Sequence, residues 1–176
     1  MDEIERERVF LLKQLPADIL NYKSVSIQIG DFTLSNAVDL LKIRRKGEKY
    51  ELIKKEDIKD GTRHEHVIPL NKEEFELLFP VTVRKHSKLR VFYPLGSLMC
   101  EIDIYLDDMA GYARAEVEFD SDKTMNDFVA PDWFGDEITL LNHTIHEGLG
   151  TITFQTMVDR FKEKNISLNA VFLPTV

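Results

Sequence analysis

The chain has few of the residues that stabilise small secreted domains or cross membranes. Its 176 residues include one cysteine, Cys100, so an intramolecular disulfide and a cysteine-rich zinc site are excluded. The longest apolar stretches, such as Ala170 to Leu173, are far shorter than the roughly 20 residues of a membrane helix. The acidic start, from Met1 to Glu5, has no apolar segment. We therefore expect no secretory signal, no membrane association and a cytoplasmic protein.

An excess of basic residues is also lacking. The 23 lysines and arginines are outnumbered by 31 aspartates and glutamates, which gives a net charge of −8. Nucleic acids and anionic membranes both select basic surfaces. The segment from Lys42 to Lys55 is locally basic but too poor in aromatic residues to indicate a base-stacking surface. We therefore expect no nucleic-acid partner.

The composition that remains is that of a globular protein. Apolar residues make up 43% of the chain and charged residues 31%. No repeat, low-complexity tract or flexible linker interrupts the sequence, so residues 1–176 are predicted to form one domain.

Alternation of apolar and polar residues predicts an antiparallel sheet. The predicted strand regions are residues 3–12, a hairpin over 38–57 that turns at 46–48, and residues 63–70, 87–94, 98–106 and 114–120. Helices are fewer, and they lie between the strands and at the C-terminal end. The fold class is therefore α+β with a large antiparallel sheet.

Three helices are predicted from their caps. Asn71 begins a capping box, and Pro80 ends the helix that follows it. Ser121 or Asp122 caps a second short helix that ends before Pro131. Thr151 or Thr153 opens a C-terminal helix with one apolar stripe, formed by Phe154, Met157, Val158 and Phe161. The stripe packs on the core of the chain or against the partner of a homodimer, and the sequence leaves both open.

Like charges stand two residues apart in the predicted strands. The pairs are Glu5 and Glu7, Lys42 and Arg44, Lys88 and Arg90, Glu101 and Asp103, and Glu116 and Glu118. Members of a pair lie about 7 Å apart on one face of a strand. At this distance they repel by about 0.6 kcal/mol in water and about 2.4 kcal/mol at an effective dielectric constant of 20. Either the pairs lie on solvated outer faces, or they line the concave face of a curved sheet, where a divalent cation and a polyanion neutralise them.

These pairs belong to an ordered series of motifs over residues 3–139. In chain order the motifs are Glu5-Arg6-Glu7-Arg8, Lys42-Ile43-Arg44, Arg63-His64-Glu65, Lys88 and Arg90, Glu101-Ile102-Asp103, Glu116-Val117-Glu118-Phe119, and Trp133-Phe134-Gly135. The series resembles the CYTH domain, whose members are also called triphosphate tunnel metalloenzymes and begin with an ExExK signature. Residues 140–176 diverge from the family pattern.

The resemblance implies a fold and an activity. The fold is an eight-stranded antiparallel β-barrel that forms a tunnel, with short flanking helices and a C-terminal helix. The activity is Mg²⁺- or Mn²⁺-dependent hydrolysis of the terminal phosphoryl group of inorganic triphosphate or a related triphosphate. Attack by water activated on the metal would be assisted by a basic wall that spreads the developing charge.

The resemblance also implies site residues, although it assigns no catalytic residue. The implied metal ligands are Glu5, Glu7, Glu116 and Glu118. The implied triphosphate-binding residues are Lys42, Arg44, Lys55, Arg63, Lys88 and Arg90. The implied tunnel-lining acids, which would orient these cations or a second metal, are Glu65, Glu101 and Asp103.

Three departures from the family pattern bear on activity. The signature lysine is replaced by Val9, and the neighbouring Arg6 and Arg8 fall on the opposite strand face unless a bulge re-aims one of them. Lys42 stands where the family has an arginine, which loses bidentate phosphate recognition. The family's tail segment is not found after Thr139. A second reading is therefore a non-catalytic module that binds triphosphate or polyphosphate. A class IV adenylate cyclase or a thiamine triphosphatase is a third.

Overall fold

A computed structural model describes residues 6–32, 40–57, 63–141, 145 and 149–174, with the backbone alone at 40, 55–57 and 63–65. The strands in these ranges are β1 (Glu7–Leu12), β2 (Ser24–Asp31), β3 (Leu40–Lys46), β4 (Lys49–Asp57), β5 (Arg63–Leu70), β6 (Arg84–Leu95), β7 (Leu98–Tyr105), β8 (Ala113–Glu118) and β9 (Phe134–Glu137). The helices are α1 (Lys72–Leu78), α2 (Asp122–Asp127) and α3 (Phe154–Glu163). Short 3₁₀ turns lie at Ile19–Asn21, Phe79–Val81, Asp107–Met109 and Thr139–Leu141.

The strands form one antiparallel sheet in the order β5-β4-β3-β2-β6-β7-β8-β1-β9. This confirms the predicted antiparallel sheet with few helices. The described sheet has nine strands where the resemblance implied eight, and the described residues show no ladder that joins β5 to β9. Two of the nine were not predicted. The short β9 adds to β1, and β2 lies between β3 and β6, where it joins the two halves of the sheet.

One face of the central strands forms an apolar core. Cys100, Ile102, Ala115 and Val117 alternate with charged residues along β7 and β8, and all four are fully buried. They pack with aromatic residues of β1 and β9 and with Val171 near the C-terminal end. Cys100 is therefore a packed core side chain, and its burial raises the pKa of the thiol. We call this side of the sheet the apolar face.

The helix caps are as predicted for all three helices. Asn71 accepts from the Glu74 backbone N–H at 2.9 Å, and the Glu74 carboxylate accepts from the Asn71 N–H at 2.7 Å, so α1 begins with a complete capping box. Ser121 caps α2, and Thr153 caps α3. Phe75 of α1 is buried in a cluster with Ile43 and Tyr50 on the apolar side of β3 and β4.

The C-terminal helix packs on the opposite side of the sheet. Met157 and Phe161 of α3 are fully buried in a second cluster with Val9, Leu11 and Tyr105. The apolar stripe of α3 is therefore used within the chain. Just before α3, Gly150 has a φ of +89°, and a Cβ on it would lie 2.6 Å from the Lys85 backbone nitrogen. No helix among the described residues is long and apolar enough to cross a membrane.

Candidate functional site

The strand registers place the predicted site residues on one face of the sheet. Directly opposite residues in an antiparallel ladder point to the same side. Arg90 is opposite Asp103, and Glu101 is opposite Glu116. Continuing these registers across the sheet defines a charged face, opposite to the apolar face. Its predicted site residues are Glu7, Lys42, Arg44, Lys88, Arg90, Glu101, Asp103, Glu116 and Glu118.

The side chains of four predicted residues, Glu5, Lys55, Arg63 and Glu65, are not described. The backbone positions of Lys55 and Glu65 are directly opposite each other in the β4–β5 ladder, and Arg63 is two residues from Glu65. These positions continue the register of the charged face. Glu5 lies outside the described residues, as does the segment from 142 to 144.

Arg90 is at the centre of the charged face and contacts three carboxylates. Its Nε donates to Asp103 Oδ1 at 2.6 Å, and its Nη2 donates to Asp103 Oδ2 at 2.7 Å and to Glu116 Oε2 at 2.6 Å. Its Nη1 forms an ion pair with Glu101. The bidentate pair between Arg90 and Asp103 is of a kind that is among the strongest polar contacts in proteins. Burial disfavours the charged guanidinium, but the hydrogen bonds and charge of Asp103 raise the net pKa of Arg90.

Asp103 of β7 contacts cations on both neighbouring strands. It is fully buried, and it pairs with Arg90 and Lys88 of β6 and lies 3.6 Å from Nη2 of Arg114 in β8. Burial alone would raise the pKa of Asp103, but Lys88 and Arg90 hold it below its usual range. Burial lowers the pKa of Lys88, an effect that Asp103 opposes. Because a buried charge needs a partner, loss of Asp103 would leave buried cations uncompensated.

The central network is electrically balanced. Three cations, Lys88, Arg90 and Arg114, face three carboxylates, Glu101, Asp103 and Glu116. Arg114 completes the balance through an Nη2–Oε1 contact of 2.5 Å with Glu116. Arg114 was not predicted as a site residue, although it shares the strand face of Glu116 and Glu118 and the same alternation indicates it.

The β2–β3 side of the charged face carries a basic excess. Two carboxylates, Asp31 of β2 and Glu51 of β4, share this side with five cations, which are Lys42, Arg44 and Lys46 of β3, Lys49 of β4 and Arg84 of β6. Arg44 Nε donates to Glu51 Oε2 at 2.8 Å, and Arg84 Nε lies 3.8 Å from Asp31 Oδ2. Burial raises the pKa of Asp31, although Arg84 and Lys42 oppose the rise. Asp31, Glu51 and Arg84 were not predicted as site residues.

The β1–β8 side of the charged face is acidic. Glu7 is directly opposite Glu118. Glu116, two residues before Glu118 and on the same face, is directly opposite Val9. Carboxylate oxygens are the ligands that Mg²⁺ and Mn²⁺ prefer, so this donor set fits either ion. Among the described residues, however, no group of three His, Cys, Asp or Glu side chains is already arranged around a metal position. The four implied metal ligands remain a prediction.

The position of the signature lysine is apolar. Val9 is fully buried in the cluster that contains Met157 and Phe161 of α3. The neighbouring Arg8 points to the apolar face, where its Nη2 donates to Glu137 Oε2 at 2.6 Å and its Nη1 donates to the carbonyls of Met125 and Phe128. No bulge turns Arg8 toward the charged face, so this arginine does not replace the lysine.

Comparison with known proteins identifies the family. No protein-family model matches the chain. An inorganic triphosphatase from Nitrosomonas europaea is 32% identical over 143 residues, which are 79% of this chain and 90% of that protein. The chain belongs to the CYTH family of triphosphate tunnel metalloenzymes. The motifs that indicated the family in the sequence are the ones that the sheet gathers on its charged face.

Solved structures of CYTH proteins share the fold. The crystal structure of an inorganic triphosphatase superposes with a TM-score of 0.67 and 26% identity, over 85% of this chain and 95% of that chain. An adenylate cyclase-like protein from Bacillus halodurans superposes with a TM-score of 0.52 and 17% identity, over 100% of this chain and 96% of that one. An adenylyl cyclase-like protein from Hippeastrum, for which a dominant triphosphatase activity is described, superposes with a TM-score of 0.51 and 15% identity, covering 94% of this chain and 91% of that one. The last two comparisons establish the fold alone.

Proposed function

We propose that this chain is a phosphohydrolase that cleaves the terminal phosphoryl group of inorganic triphosphate or a related triphosphate. The observation that carries the proposal is the division of the charged face. A basic side, formed by Lys42, Arg44 and Lys46 of β3 with Arg84 of β6, lies beyond β2 from a balanced, largely buried network on β6, β7 and β8. An acidic side on β1 and β8 lies at the other edge of that network. This arrangement suits a chelated oligophosphate, because the polyanion needs cations and its metal needs carboxylates.

The basic side would bind the triphosphate. Arg44 and Lys42 are on the charged face of β3, and Arg44 is held in place by Glu51. Lys88 and Arg90 are positioned by Asp103 and Glu101, so their ammonium and guanidinium groups are ordered before substrate arrives. Lys55 and Arg63 are proposed to extend this surface. Preorganised cations stabilise the charge that develops on a transferred phosphoryl group without a reorganisation cost.

The acidic side would hold Mg²⁺ or Mn²⁺. Glu7, Glu116 and Glu118 are the described residues with suitable oxygen donors, and Glu5 precedes them in the chain. A bound divalent cation would supply a water of lowered pKa and a positive charge beside the phosphate oxygens. Glu116 also contacts Arg90 and Arg114, so it belongs both to the balanced network and to the acidic side.

We also propose that the sheet curls until the charged face lines a tunnel. Support comes from burial, because Asp103 is fully buried and Lys88 is 6% exposed although both lie on one face of a single sheet. The α3 cluster covers part of that face beside β1. Closure would bring β5 toward β9, with cations and carboxylates facing each other across the lumen.

Replacement of the signature lysine favours a second candidate, a module that binds triphosphate without cleaving it. Val9 is buried among apolar residues, and Arg8 is bound to Glu137. These contacts remove a cation from the acidic side of the face. Both candidates predict binding, and they differ only in turnover.

Phosphate release separates the candidates. Inorganic triphosphate, ATP and thiamine triphosphate would each be incubated with the protein in Mg²⁺, in Mn²⁺ and in chelator. We expect metal-dependent release that is fastest from inorganic triphosphate, and no cyclic AMP from ATP. Absence of release, with inorganic triphosphate still raising the melting temperature, would establish the binding module and refute the hydrolase.

A further inference from the structure

His86 is a polar residue of the charged face that neither the motifs nor the ion-pair network use. It lies on β6 two residues before Lys88, and it is opposite Ile29 of β2, which is in turn opposite Arg44 of β3. Its ring lies 6.2 Å from the ring of Tyr105, with an interplanar angle of 21°. The imidazole is therefore placed between the balanced network and the basic side.

The hydrogen bonding of His86 is incomplete. Its Nδ1 is buried and has no hydrogen-bond partner among the residues that the structure describes. Buried polar atoms in folded proteins nearly always have a partner, from the protein, from water or from a ligand. An unsatisfied imidazole nitrogen beside several cations is suited to contact an anion.

Charged and titratable groups surround the imidazole from each neighbouring strand. They are Arg84 and Lys88 on its own strand, Asp31 on β2, Lys42 and Arg44 on β3, Asp103 and Tyr105 on β7, and Arg114 on β8. Burial is the largest influence and, together with Lys88, Lys42 and Arg114, lowers the pKa of His86 to about 3, while Asp103 acts in the opposite direction. Without a ligand the ring is neutral near pH 7. A polyanion among these cations reverses the balance and favours the protonated ring.

We propose that His86 is a substrate-binding residue that takes up one proton from solvent when a triphosphate binds, and then donates a hydrogen bond to a phosphate oxygen. The inference rests on the proposed function, because it needs a triphosphate on the charged face. Triphosphate binding would then be coupled to the uptake of a proton. Where the ring is neutral in the free protein and protonated in the complex, the contribution of His86 to the affinity falls tenfold for each unit of rising pH.

Calorimetry can count this proton. The non-hydrolysable analogue imidotriphosphate would be titrated into the protein with Mg²⁺, between pH 5.5 and 7.5, in buffers of different ionisation enthalpy. His86→Gln is the test variant. His66→Gln is its matched control, because His66 is exposed on β5 and lies on the opposite face. At the acidic end of this range we expect wild type and His66→Gln to take up close to one proton more than His86→Gln, which binds about tenfold more weakly.

The outcomes separate the two proposals. Equal proton uptake by wild type and His86→Gln at every pH would overturn the role of His86 and leave the proposed function intact. A wild-type protein that neither binds the analogue nor cleaves inorganic triphosphate would overturn both. If His86→Gln does not fold, nitrogen NMR of the wild-type imidazole decides the question. A ring that becomes protonated on addition of the analogue supports the proposal, and a ring that stays neutral refutes it.

Discussion

Arg8 and Glu137 form a bidentate ion pair that faces away from the charged face. Arg8 Nε lies 3.0 Å from Glu137 Oε1, and Arg8 Nη2 lies 2.6 Å from Glu137 Oε2. The hydrogen bonds of the pair raise the pKa of Arg8 and lower that of Glu137. β1 therefore presents an apolar residue, Val9, to the charged face, and its nearest cation serves to attach β9. The proposed hydrolase would therefore act without a cation at the position of the signature lysine.

Restoring the lysine at position 9 tests whether its absence limits hydrolysis. We expect Val9→Lys to lower the free energy of unfolding by about 2 kcal/mol relative to Val9→Met, because the ammonium loses water inside an apolar cluster. Val9→Met is the matched control, since it has similar length without charge. Hydrolysis of inorganic triphosphate by Val9→Lys should not exceed that of wild type. A tenfold rise in turnover would show that the missing lysine limits catalysis.

The carboxylate of Asp103 is expected to be the most important single group for stability on the charged face. Asp103→Asn leaves Lys88 and Arg90 buried without a full complement of charge, so we expect a loss of about 3–5 kcal/mol in urea unfolding. Asp122→Asn removes an ion pair with Arg6 in which the aspartate is 76% exposed, and should cost less than about 1 kcal/mol. Similar losses in the two variants would contradict the description of the network.

The depressed pKa of His86 predicts a pH dependence of stability. The folded-state value is about 3, whereas an unfolded histidine titrates near 6.5. Below pH 6.5 the unfolded chain binds a proton that the folded chain does not, so wild type loses stability as the pH falls. Relative to His86→Gln, we expect wild type to lose up to about 1.4 kcal/mol per pH unit between pH 6 and pH 4. Unfolding curves of both proteins with parallel pH dependence would refute this.

Removing a carboxylate from the acidic side should weaken metal binding. Glu118→Gln keeps the size of the side chain and removes its charge opposite Glu7. We expect the Mg²⁺ concentration for half-maximal hydrolysis to rise at least tenfold, because a hard cation loses an anionic ligand. Glu73→Gln, in the exposed first turn of α1, is the control and should leave the Mg²⁺ dependence unchanged. Equal Mg²⁺ requirements in the two variants would show that Glu118 is not a metal ligand.

Sequence patterns predicted the faces of the strands better than the contacts across them. Alternation placed Glu101 with Asp103 and Glu116 with Glu118, and the registers put all four on one face. The partners of Arg90 depend on the relative register of β6, β7 and β8, which no single strand encodes. The helix caps were predictable because they are local.

Of the two unpredicted strands, β2 has a strand signal in its sequence and β9 has none. Val25, Ile27 and Ile29 alternate with polar residues in β2, so a strand signal was present there. Strand β9 has four residues, too few for a period to show. Its pairing depends instead on the close approach of Gly135 to β1, where a Cβ would lie 3.3 Å from that of Leu11.

Two adjacent arginines of β3 provide the most direct test of the charged face as the triphosphate site. Arg44 is on the charged face and pairs with Glu51, whereas Arg45 is on the other face and donates to the Gly47 carbonyl at 2.9 Å. The measurement is kcat/KM for inorganic triphosphate in Arg44→Gln and Arg45→Gln. We expect a fall of about 100-fold for Arg44→Gln, from the loss of a charge-assisted phosphate contact, and a change of less than about threefold for Arg45→Gln. Equal effects, or a larger effect at Arg45, would contradict the assignment of the charged face.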